Sequence, residues 1–219
     1  MKMPRIYAIG DVHGCNSLLI KLLTAINPKT DDRLIFLGDV IDRGEDSKGV
    51  LDTIMYYQSI CHVILIQGNH EEMMLGAIHD KEYLKYWLKF GGIETLQSFG
   101  VMINQQGLRQ IPYAYYKLLK SSLTYYETED FIFTHATPFA NIEMNQQTDE
   151  GLRWRFIPPD GQDRHISGKT VICGHSAQES GKVYHQGGLI CIDTYAYGGG
   201  ALTALEVTNM QVYQIVDNH

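Results

Sequence analysis

The sequence predicts an α/β fold in which two β-sheets pack as a sandwich flanked by helices. The first observation is that short apolar runs alternate with amphipathic segments over the first third of the chain. The second is that residues 71 to about 120 have a mainly helical pattern rich in aromatic side chains. The third is that apolar runs return from residue 122 onward, separated in part by glycine-rich turns. This later half suits a second sheet packed on the first.

Three apolar runs in the first third of the chain predict buried strands, at residues 5–10, 33–38 and 62–68. The segments between them, 16–27 and 47–58, predict helices, because their apolar residues recur at helical spacing. Continuous apolar strands joined by amphipathic helices are typical of parallel strands covered on both faces. We therefore expect parallel βαβ units in this part of the chain.

The rest of the pattern suits one domain. The helical region, 71 to about 120, is not bracketed by proline- or serine-rich linkers, so we interpret it as an insertion into a single domain of residues 1–219. No internal repeat or low-complexity segment is present. Later strands are predicted within the segments LTYYET, DFIFTHA, TVICGH, GLICID and ALTALEV.

Composition argues against several classes of protein. Of 219 residues, 44% are hydrophobic and 20% are charged, which describes an ordinary globular protein. The formal net charge of −7, without any run of lysine or arginine, disfavours nucleic acid and anionic membrane as partners. No apolar run approaches the roughly 18 residues of a membrane span. The chain begins without a secretory signal, and its four cysteines form no CxxC pair. We expect a cytoplasmic protein with reduced thiols.

Polar side chains recur at the ends of the predicted strands. The motifs GDVHG, GDVIDRG and GNHE follow the first three strands, and two later strands end at THA and CGH. Ligands of open parallel sheets bind beyond the carboxyl ends of the strands. A turn or a helix cap explains any one of these residues, but not the recurrence of aspartate and histidine at the same topological position. Together they predict a metal site formed by Asp11, His13, Asp39, Asn69, His135 and His175.

The chemistry of these ligands restricts the metal. Carboxylate, imidazole and amide oxygen without thiolate suit Mn, Fe, Zn or Co, and are too rich in nitrogen for a dedicated Ca or Mg site. The ligands outnumber what one catalytic ion with an open position needs, so we expect two divalent ions, with Mn²⁺ as the first choice, about 3.5–4 Å apart. One carboxylate and one hydroxide would bridge the ions, and the hydroxide would attack a phosphoester.

Other groups near these motifs indicate a phosphate substrate. Arg43 directly follows Asp42, and Arg155 lies in the segment LRWRF. Guanidinium groups bind phosphate oxygens in a bidentate manner. His70, next to Asn69, can protonate a leaving alkoxide, while Asp42 can orient its ring and raise its pKa. We therefore predict catalytic roles for His70, Asp42, Arg43 and Arg155.

The motifs GDVHG, GDVIDRG and GNHE, about thirty residues apart and followed by two strand-end histidines, resemble those of a known family. It is the phosphoprotein phosphatase family of calcineurin-like metallophosphoesterases, in particular its bacterial and bacteriophage lambda-type serine/threonine phosphatases. The resemblance implies a metallophosphoesterase-type β-sandwich of two mixed sheets flanked by helices, with a helical insertion. It also implies that Asp11 and His13 bind the first metal, that Asp39 bridges, and that the second metal is bound by Asn69, His135 and His175.

The chain departs from the family pattern at three places. HAT, which begins at His135, replaces the usual HAG, and IDTY replaces IDTG, which puts Tyr195 close to the expected cleft. In many relatives a Trp-x-Arg pattern precedes the phosphate-binding arginine, whereas here Trp154 is adjacent to Arg155. Arg153 is therefore an alternative to Arg155 as a phosphate ligand.

The sequence leaves three functions open. The first is a phosphomonoesterase, specifically a serine/threonine protein phosphatase, acting on a phosphorylated protein or a small phosphoester. The second is a dinucleoside polyphosphate hydrolase of the same superfamily, although those relatives commonly have alanine in place of Asp42 and GNHD in place of GNHE. The third is an inactive phosphate-binding scaffold, against which the complete set of ligand types argues. The physiological substrate and the oligomeric state stay open.

Overall fold

Two five-stranded β-sheets form the centre of the protein, in a computed structural model that describes residues 4–217. The strands are β1 (Ile6–Ile9), β2 (Arg33–Phe36), β3 (His62–Leu65), β4 (Tyr125–Glu127), β5 (Phe131–Thr134), β6 (Thr170–Cys173), β7 (Tyr184–Gln186), β8 (Leu189–Cys191), β9 (Ala201–Glu206) and β10 (Gln211–Val216). The first sheet has the order β10-β9-β1-β2-β3 and the second the order β4-β5-β6-β8-β7. Strands β1 to β3 are parallel, as are β5, β6 and β8, and the others pair in antiparallel fashion. Both sheets are therefore mixed, as expected from the sequence.

Helices flank the first sheet and fill the region between β3 and β4. They are α1 (Asn16–Ile26), α2 (Ser47–Gln58), α3 (Asn69–Ala77), α4 (Lys81–Trp87), α5 (Ile93–Ser98), α6 (Gln105–Gln110) and α7 (Tyr113–Lys120). A π-helical turn, Leu88–Gly92, connects α4 to α5. The helical pattern predicted for residues 71–120 thus corresponds to five short helices, the first of which begins two residues earlier.

The central strands are buried on both faces, which explains their continuous apolar sequences. Along β1, Tyr7 and Ile9 belong to the core beneath the helices, whereas Ala8 belongs to the core between the sheets. Phe133 of β5 and Ile172 of β6 meet Ala8 in that second core, and all of these side chains are fully buried. The two sheets therefore pack face to face as the predicted sandwich.

Two strands, β7 and β10, were not predicted. Both lie at the edge of a sheet. The residues of β10 are exposed or half-buried, and glutamines interrupt its apolar residues. An edge strand needs hydrogen bonds to one neighbour but little burial, so its sequence lacks the apolar run by which the central strands were found.

Two expectations from composition can be compared with this fold. No helix within residues 4–217 combines the length and the apolar character needed to cross a membrane. All four cysteines are free thiols, of which Cys173 and Cys191 are buried and the other two half-buried. The thiols are therefore unpaired, as expected.

A buried carboxylate fixes the start of the first sheet. Asp32, just before β2, accepts hydrogen bonds from the backbone N–H of Arg5 at 2.9 Å and of Lys29 at 2.8 Å, and from Arg5 Nε at 3.1 Å. Burial alone would raise the pKa of Asp32, but the hydrogen bonds from Arg5 and Lys29 outweigh burial and hold this pKa below its usual value. The ionised carboxylate therefore stabilises the fold.

We expect Asp32→Asn to lower the free energy of unfolding at pH 7 by about 1–3 kcal/mol, because an amide cannot replace a charged acceptor of several bonds. A group whose pKa is depressed by folding contributes stability above its unfolded pKa, about 3.9, and loses it as the pH falls. Urea unfolding of wild type and variant should therefore differ at pH 7 and converge towards pH 3. Asp31→Asn, at the exposed neighbouring position, is the matched control and should be neutral. An equal loss for Asp32→Asn at both pH values would contradict this account.

Candidate active site

The predicted metal ligands come together where strands of both sheets end. Three of these residues have a positive φ, with values of 43° for His13, 48° for Asp39 and 63° for His175. Residues other than glycine rarely adopt this region, and such strain persists chiefly at functional sites. The structure places all six candidates at this edge: Asp11 and His13 after β1, Asp39 after β2, Asn69 at the start of α3, His135 after β5 and His175 after β6.

Three hydrogen-bond acceptors converge in the group Asn69, His135 and His175. Asn69 Oδ1 lies 2.9 Å from His135 Nε2 and 3.1 Å from His175 Nδ1, and these two nitrogens are 3.2 Å apart. The opposite nitrogen of each ring donates to a backbone carbonyl, His135 Nδ1 to Leu37 O at 2.8 Å and His175 Nε2 to Trp154 O at 3.0 Å. The inward nitrogens of the neutral rings therefore carry lone pairs only. Acceptors this close repel one another unless a cation binds between them.

Asp39 belongs to two such groups at once. Its Oδ1 lies 3.4 Å from His135 Nε2, while its Oδ2 lies 3.5 Å from His13 Nε2. His13 Nδ1 contacts Ile41 O at 2.9 Å, so that its Nε2 is the nitrogen that faces inward. The two groups share the Asp39 carboxylate, one with His13 and His70 and the other with His135 and His175. This donor set of imidazole and carboxylate fits two divalent cations on either side of one carboxylate.

Asp11 lies beside a second buried carboxyl group, that of Asp193, which sequence analysis did not identify. Burial, and then the charge of Asp193, raise the pKa of Asp11 well above its usual value, and burial raises the pKa of Asp193 to about 6. Both oxygens of Asp11 accept the backbone N–H of His175, at 3.1 and 3.2 Å. Two buried carboxyl groups at close range favour a shared proton or a nearby cation. Because Asp193 follows a parallel strand, β8, the rule that found the other candidates also applies to it.

Glu71 holds the backbone around Asp39 in place, a role that sequence analysis did not assign. Its Oε2 accepts the backbone N–H groups of Asp39 and Gly68, both at 2.8 Å, and its Oε1 accepts that of Val40 at 2.9 Å. Burial, followed by the charge of Asp39, raises the pKa of Glu71 to about 7. The side chain thus joins the loop after β2 to the loop after β3. The only signal for it in the sequence is the last residue of GNHE.

His70 and Asp42 form a buried pair next to the metal candidates. His70 Nδ1 lies 2.7 Å from Asp42 Oδ2, and both side chains are fully buried. Burial alone would lower the pKa of His70, but Asp39 and Asp42 outweigh it, so this pKa lies above its usual value. His70 Nε2 has no hydrogen-bond partner among the described residues and lies 3.8 Å from Asp39 Oδ2. The imidazole therefore presents an unused nitrogen to the cluster.

A cleft adjoins this cluster of metal candidates. Among the described residues that line it, Arg43 is the one with a positively charged side chain. Its guanidinium lies over the ring of Tyr197, 4.4 Å from the centroid, and its Nη1 is 3.0 Å from His13 Nε2. Tyr197 also packs edge-on against His13, with 4.9 Å between the ring centroids. Tyr197 thus supports both the guanidinium and one metal candidate, whereas Tyr195, the tyrosine expected near the cleft, packs against Tyr197 and does not line the cleft.

The structure does not bring Arg155 to this cluster. Arg155 Nη1 donates to Thr137 O at 3.2 Å, to Pro138 O at 3.0 Å and to Gln162 Oε1 at 2.6 Å. Its guanidinium lies over the ring of Phe139, at 4.5 Å, and lines a different pocket. These contacts connect Arg155 to two loops of the protein. The geometry therefore does not support a role for Arg155 in phosphate binding.

Arg153, the alternative phosphate ligand, is also bound to other side chains of the protein. Its side chain is buried and forms ion pairs with Glu72 at 2.5 Å and with Asp149 at 2.6 Å. Glu72 accepts a further hydrogen bond from Trp154 Nε1 at 3.2 Å. Neither Arg153 nor Arg155 lines the cleft beside Arg43.

Aromatic side chains form the walls of the cleft, whose volume is about 660 Å³. Tyr86 and Phe90 contribute one wall from the helical region. On another side, the ring of Phe156 stacks on His175 with 4.6 Å between centroids, although Phe156 as a residue is 66% exposed. The cleft therefore combines a polar floor of metal candidates with apolar walls, as expected for a small-molecule or peptide site.

A family model described as calcineurin-like phosphoesterase matches residues 4–199. The chain belongs to this family. The membership recognised from the three motifs is thus confirmed. The family uses divalent metals, and the residues grouped around Asp39 can bind them.

Curated relatives align with only part of the chain. Serine/threonine-protein phosphatase 1 of Salmonella typhimurium is 37% identical over 89 residues, which are 40% of this chain and 38% of that protein. The symmetrical bis(5'-nucleosyl)-tetraphosphatase of Pseudomonas putida is 40% identical over 82 residues, which are 36% of this chain and 27% of that protein. The chain thus matches less than half the length of either relative. The solved structure of a proposed diadenosine tetraphosphatase shares the fold, with a TM-score of 0.74 at 20% identity over 99% of this chain and 96% of that one.

We expect Mn²⁺ to stabilise the wild-type protein, because it relieves the repulsion among Asn69, His135 and His175. At 100 times the dissociation constant, binding to the folded state alone adds about 2.7 kcal/mol to the free energy of unfolding.

Asn69→Leu keeps the size of the side chain but removes one ligand, and should weaken Mn²⁺ binding at one site by about 100-fold or more in isothermal titration calorimetry. His185→Gln, at an exposed histidine of β7, is the control. Unchanged binding in Asn69→Leu would exclude this group as a metal site.

Proposed function

We propose that this phosphoesterase is a phosphomonoesterase that removes phosphate from phosphoserine and phosphothreonine in proteins. The observation that supports this proposal is the buried pair His70–Asp42, with His70 Nε2 unpartnered beside the cluster. A serine or threonine leaves as a strongly basic alkoxide, which has to be protonated as the bond to phosphorus breaks. A nucleoside diphosphate is a weakly basic leaving group with little need of an acid. The pair is therefore most useful for an alkyl phosphate.

We propose that two divalent ions, with Mn²⁺ as the first choice, occupy the cluster. The fit rests on the converging acceptors around Asn69 and on the two oxygens of Asp39, each turned to a different group. Bound there, such ions would neutralise the charge of the phosphate and lower the pKa of a coordinated water. In this proposal the first ion is held by Asp11, His13 and Asp39, and the second by Asp39, Asn69, His135 and His175.

The side chains of the protein have separate tasks in this proposal. Arg43 binds phosphate oxygens, since its guanidinium is held over Tyr197 at the floor of the cleft. His70 donates the proton at Nε2 to the leaving oxygen, and Asp42 keeps the ring in the orientation that this transfer needs. Because Arg155 and Arg153 are bound elsewhere, Arg43 carries the phosphate recognition without them.

A dinucleoside polyphosphate hydrolase is the second candidate function. The aromatic walls of the cleft favour it, because Tyr86, Phe90 and Phe156 offer ring faces on which a nucleobase can stack. The tetraphosphatase name of the Pseudomonas putida relative is in keeping with this candidate. It does not account for the buried His70–Asp42 pair, which ranks it second.

We also propose that the protein works in the cytoplasm. Its four cysteines are free thiols, and Cys15 and Cys61 among them are only half-buried. Unpaired thiols that are partly accessible are in keeping with a reducing compartment.

The function can be tested by comparing three substrates of the Mn²⁺-loaded protein: a phosphoserine peptide, an aryl phosphate and diadenosine tetraphosphate. We expect kcat/KM to be highest for the two monoesters. His70→Asn should lower kcat on the phosphoserine peptide by about 10²–10⁴-fold, the usual contribution of a general acid, and on the aryl phosphate far less.

His185→Gln again serves as the control, because it alters an exposed histidine away from the site. Equal losses on both monoesters would remove His70 from the role of acid. A wild-type preference for the tetraphosphate would instead favour the second candidate.

A further inference from the structure

The helical region reaches the catalytic cluster through one short segment, residues 86–95. Trp87 ends α4, the π-helical turn Leu88–Gly92 follows, and Thr95 lies in the first turns of α5. The side chains of Trp87 and Thr95 are fully buried, although the helices around them have many exposed residues. Short π-helical turns are frequent at functional sites.

Both groups donate hydrogen bonds to the carboxylate of Asp42. Trp87 Nε1 donates to Asp42 Oδ2 at 2.7 Å, the same oxygen that contacts His70 Nδ1 at 2.7 Å. Thr95 Oγ1 donates to Asp42 Oδ1 at 2.6 Å. The backbone N–H of Asp42 in turn donates to Ser47 Oγ at 2.9 Å and to Thr95 Oγ1 at 3.0 Å. Each oxygen of this fully buried carboxylate thus has a donor from the helical region.

The orientation of His70 depends on this carboxylate. The His70 ring has one hydrogen bond, at Nδ1, and its Nε2 has no partner among the described residues. A ring held at one atom keeps its direction only if the group that holds it is itself fixed. Asp42 would otherwise be free to turn about its terminal torsion, for which broad rotation is usual in aspartate. Trp87 and Thr95 prevent this rotation, because each donates a hydrogen bond to a different oxygen of the carboxylate.

The backbone of the π-helical turn is fitted to the same loop. Gly91 has a φ of 112°, and its carbonyl accepts the backbone N–H of Arg43 at 3.3 Å. A Cβ atom at Gly91 would lie 2.5 Å from Arg43 N, and one at Gly92 would lie 2.5 Å from ring atoms of Trp87. A side chain at Gly91 would therefore separate the turn from the Asp42–Arg43 loop, and one at Gly92 would displace the ring of Trp87. The turn brings Trp87 against Asp42 while Phe90 lines the cleft.

We infer that Trp87 and Thr95 are positioning residues for the proton transfer by His70, acting through Asp42. They hold the carboxylate so that His70 Nε2 faces the leaving oxygen, and they make the helical region part of the catalytic machinery. The inference rests on the proposed function, since it needs a substrate whose leaving group takes up a proton. It predicts an effect on kcat rather than on KM, because neither residue touches the substrate.

The test uses Trp87→Phe and Thr95→Val, which keep the bulk of each side chain and remove the donor, in the full-length Mn²⁺-loaded protein. We expect each variant to lower kcat on a phosphoserine peptide by about 10- to 100-fold, as misplacement of a reacting group does, with KM nearly unchanged. The loss on an aryl phosphate should be several-fold smaller. Tyr115→Phe is the matched control, because it removes a donor from the same helical region, at 2.8 Å from Asp52 Oδ1 and away from the cluster.

The outcomes separate this inference from the proposed function. A merely structural role would lower activity on both substrates in parallel, or leave kcat unchanged at a lower melting temperature, and either result overturns the inference. If His70→Asn depends on the leaving group while Trp87→Phe and Thr95→Val do not, the inference fails and the proposed function stands. If His70→Asn itself shows no such dependence, the inference fails together with the acid role of His70, whereas the proposed function fails only if the wild-type protein prefers the tetraphosphate.

Discussion

The constraint on which the rest of the structure depends is the approach of Asn69 Oδ1, His135 Nε2 and His175 Nδ1 to within 2.9–3.2 Å of one another. None of these atoms has a proton to offer, because both rings donate from their other nitrogen to a backbone carbonyl. The fold therefore holds a repulsive arrangement that a cation turns into an attractive one. It can do so because each acceptor is attached to a different, rigid element: α3, the end of β5 and the end of β6.

Side chains around the cluster also hold its members and neighbours in fixed positions. Glu71 binds three backbone N–H groups and so fixes the loop that carries Asp39, whose φ of 48° would otherwise be costly. Tyr197 carries the guanidinium of Arg43, and Trp87 and Thr95 hold the carboxylate of Asp42. In each case one side chain restrains a group to which the proposed function gives a role. Preorganisation of this kind reduces what the protein has to rearrange during the reaction.

The sheets could be predicted from the sequence because they depend on topology, and so does the position of the candidate residues at the strand ends. Continuous apolar strands have to be covered on both faces, and residues that follow neighbouring parallel strands of one sheet have to meet at the same edge, so His13 could be placed beside Asp39, and His135 beside His175, without knowing any packing. Arg155 could not be placed in this way. It directly follows a short π-helical turn, Glu150–Trp154, where no regular periodicity predicts the direction of its side chain. The role of Trp87 could not be predicted either, because its contact with Asp42 depends on how a helix packs on a loop forty-five residues away.

The central claim is that the cluster binds two divalent ions that share Asp39. Anomalous diffraction from crystals of the Mn²⁺-loaded protein tests it most directly, because it locates each ion without reference to activity. The account predicts two peaks about 3.5–4 Å apart, one beside His13 and one beside His135 and His175, with Asp39 between them. A single peak, or ions bound away from Asp39, would contradict it.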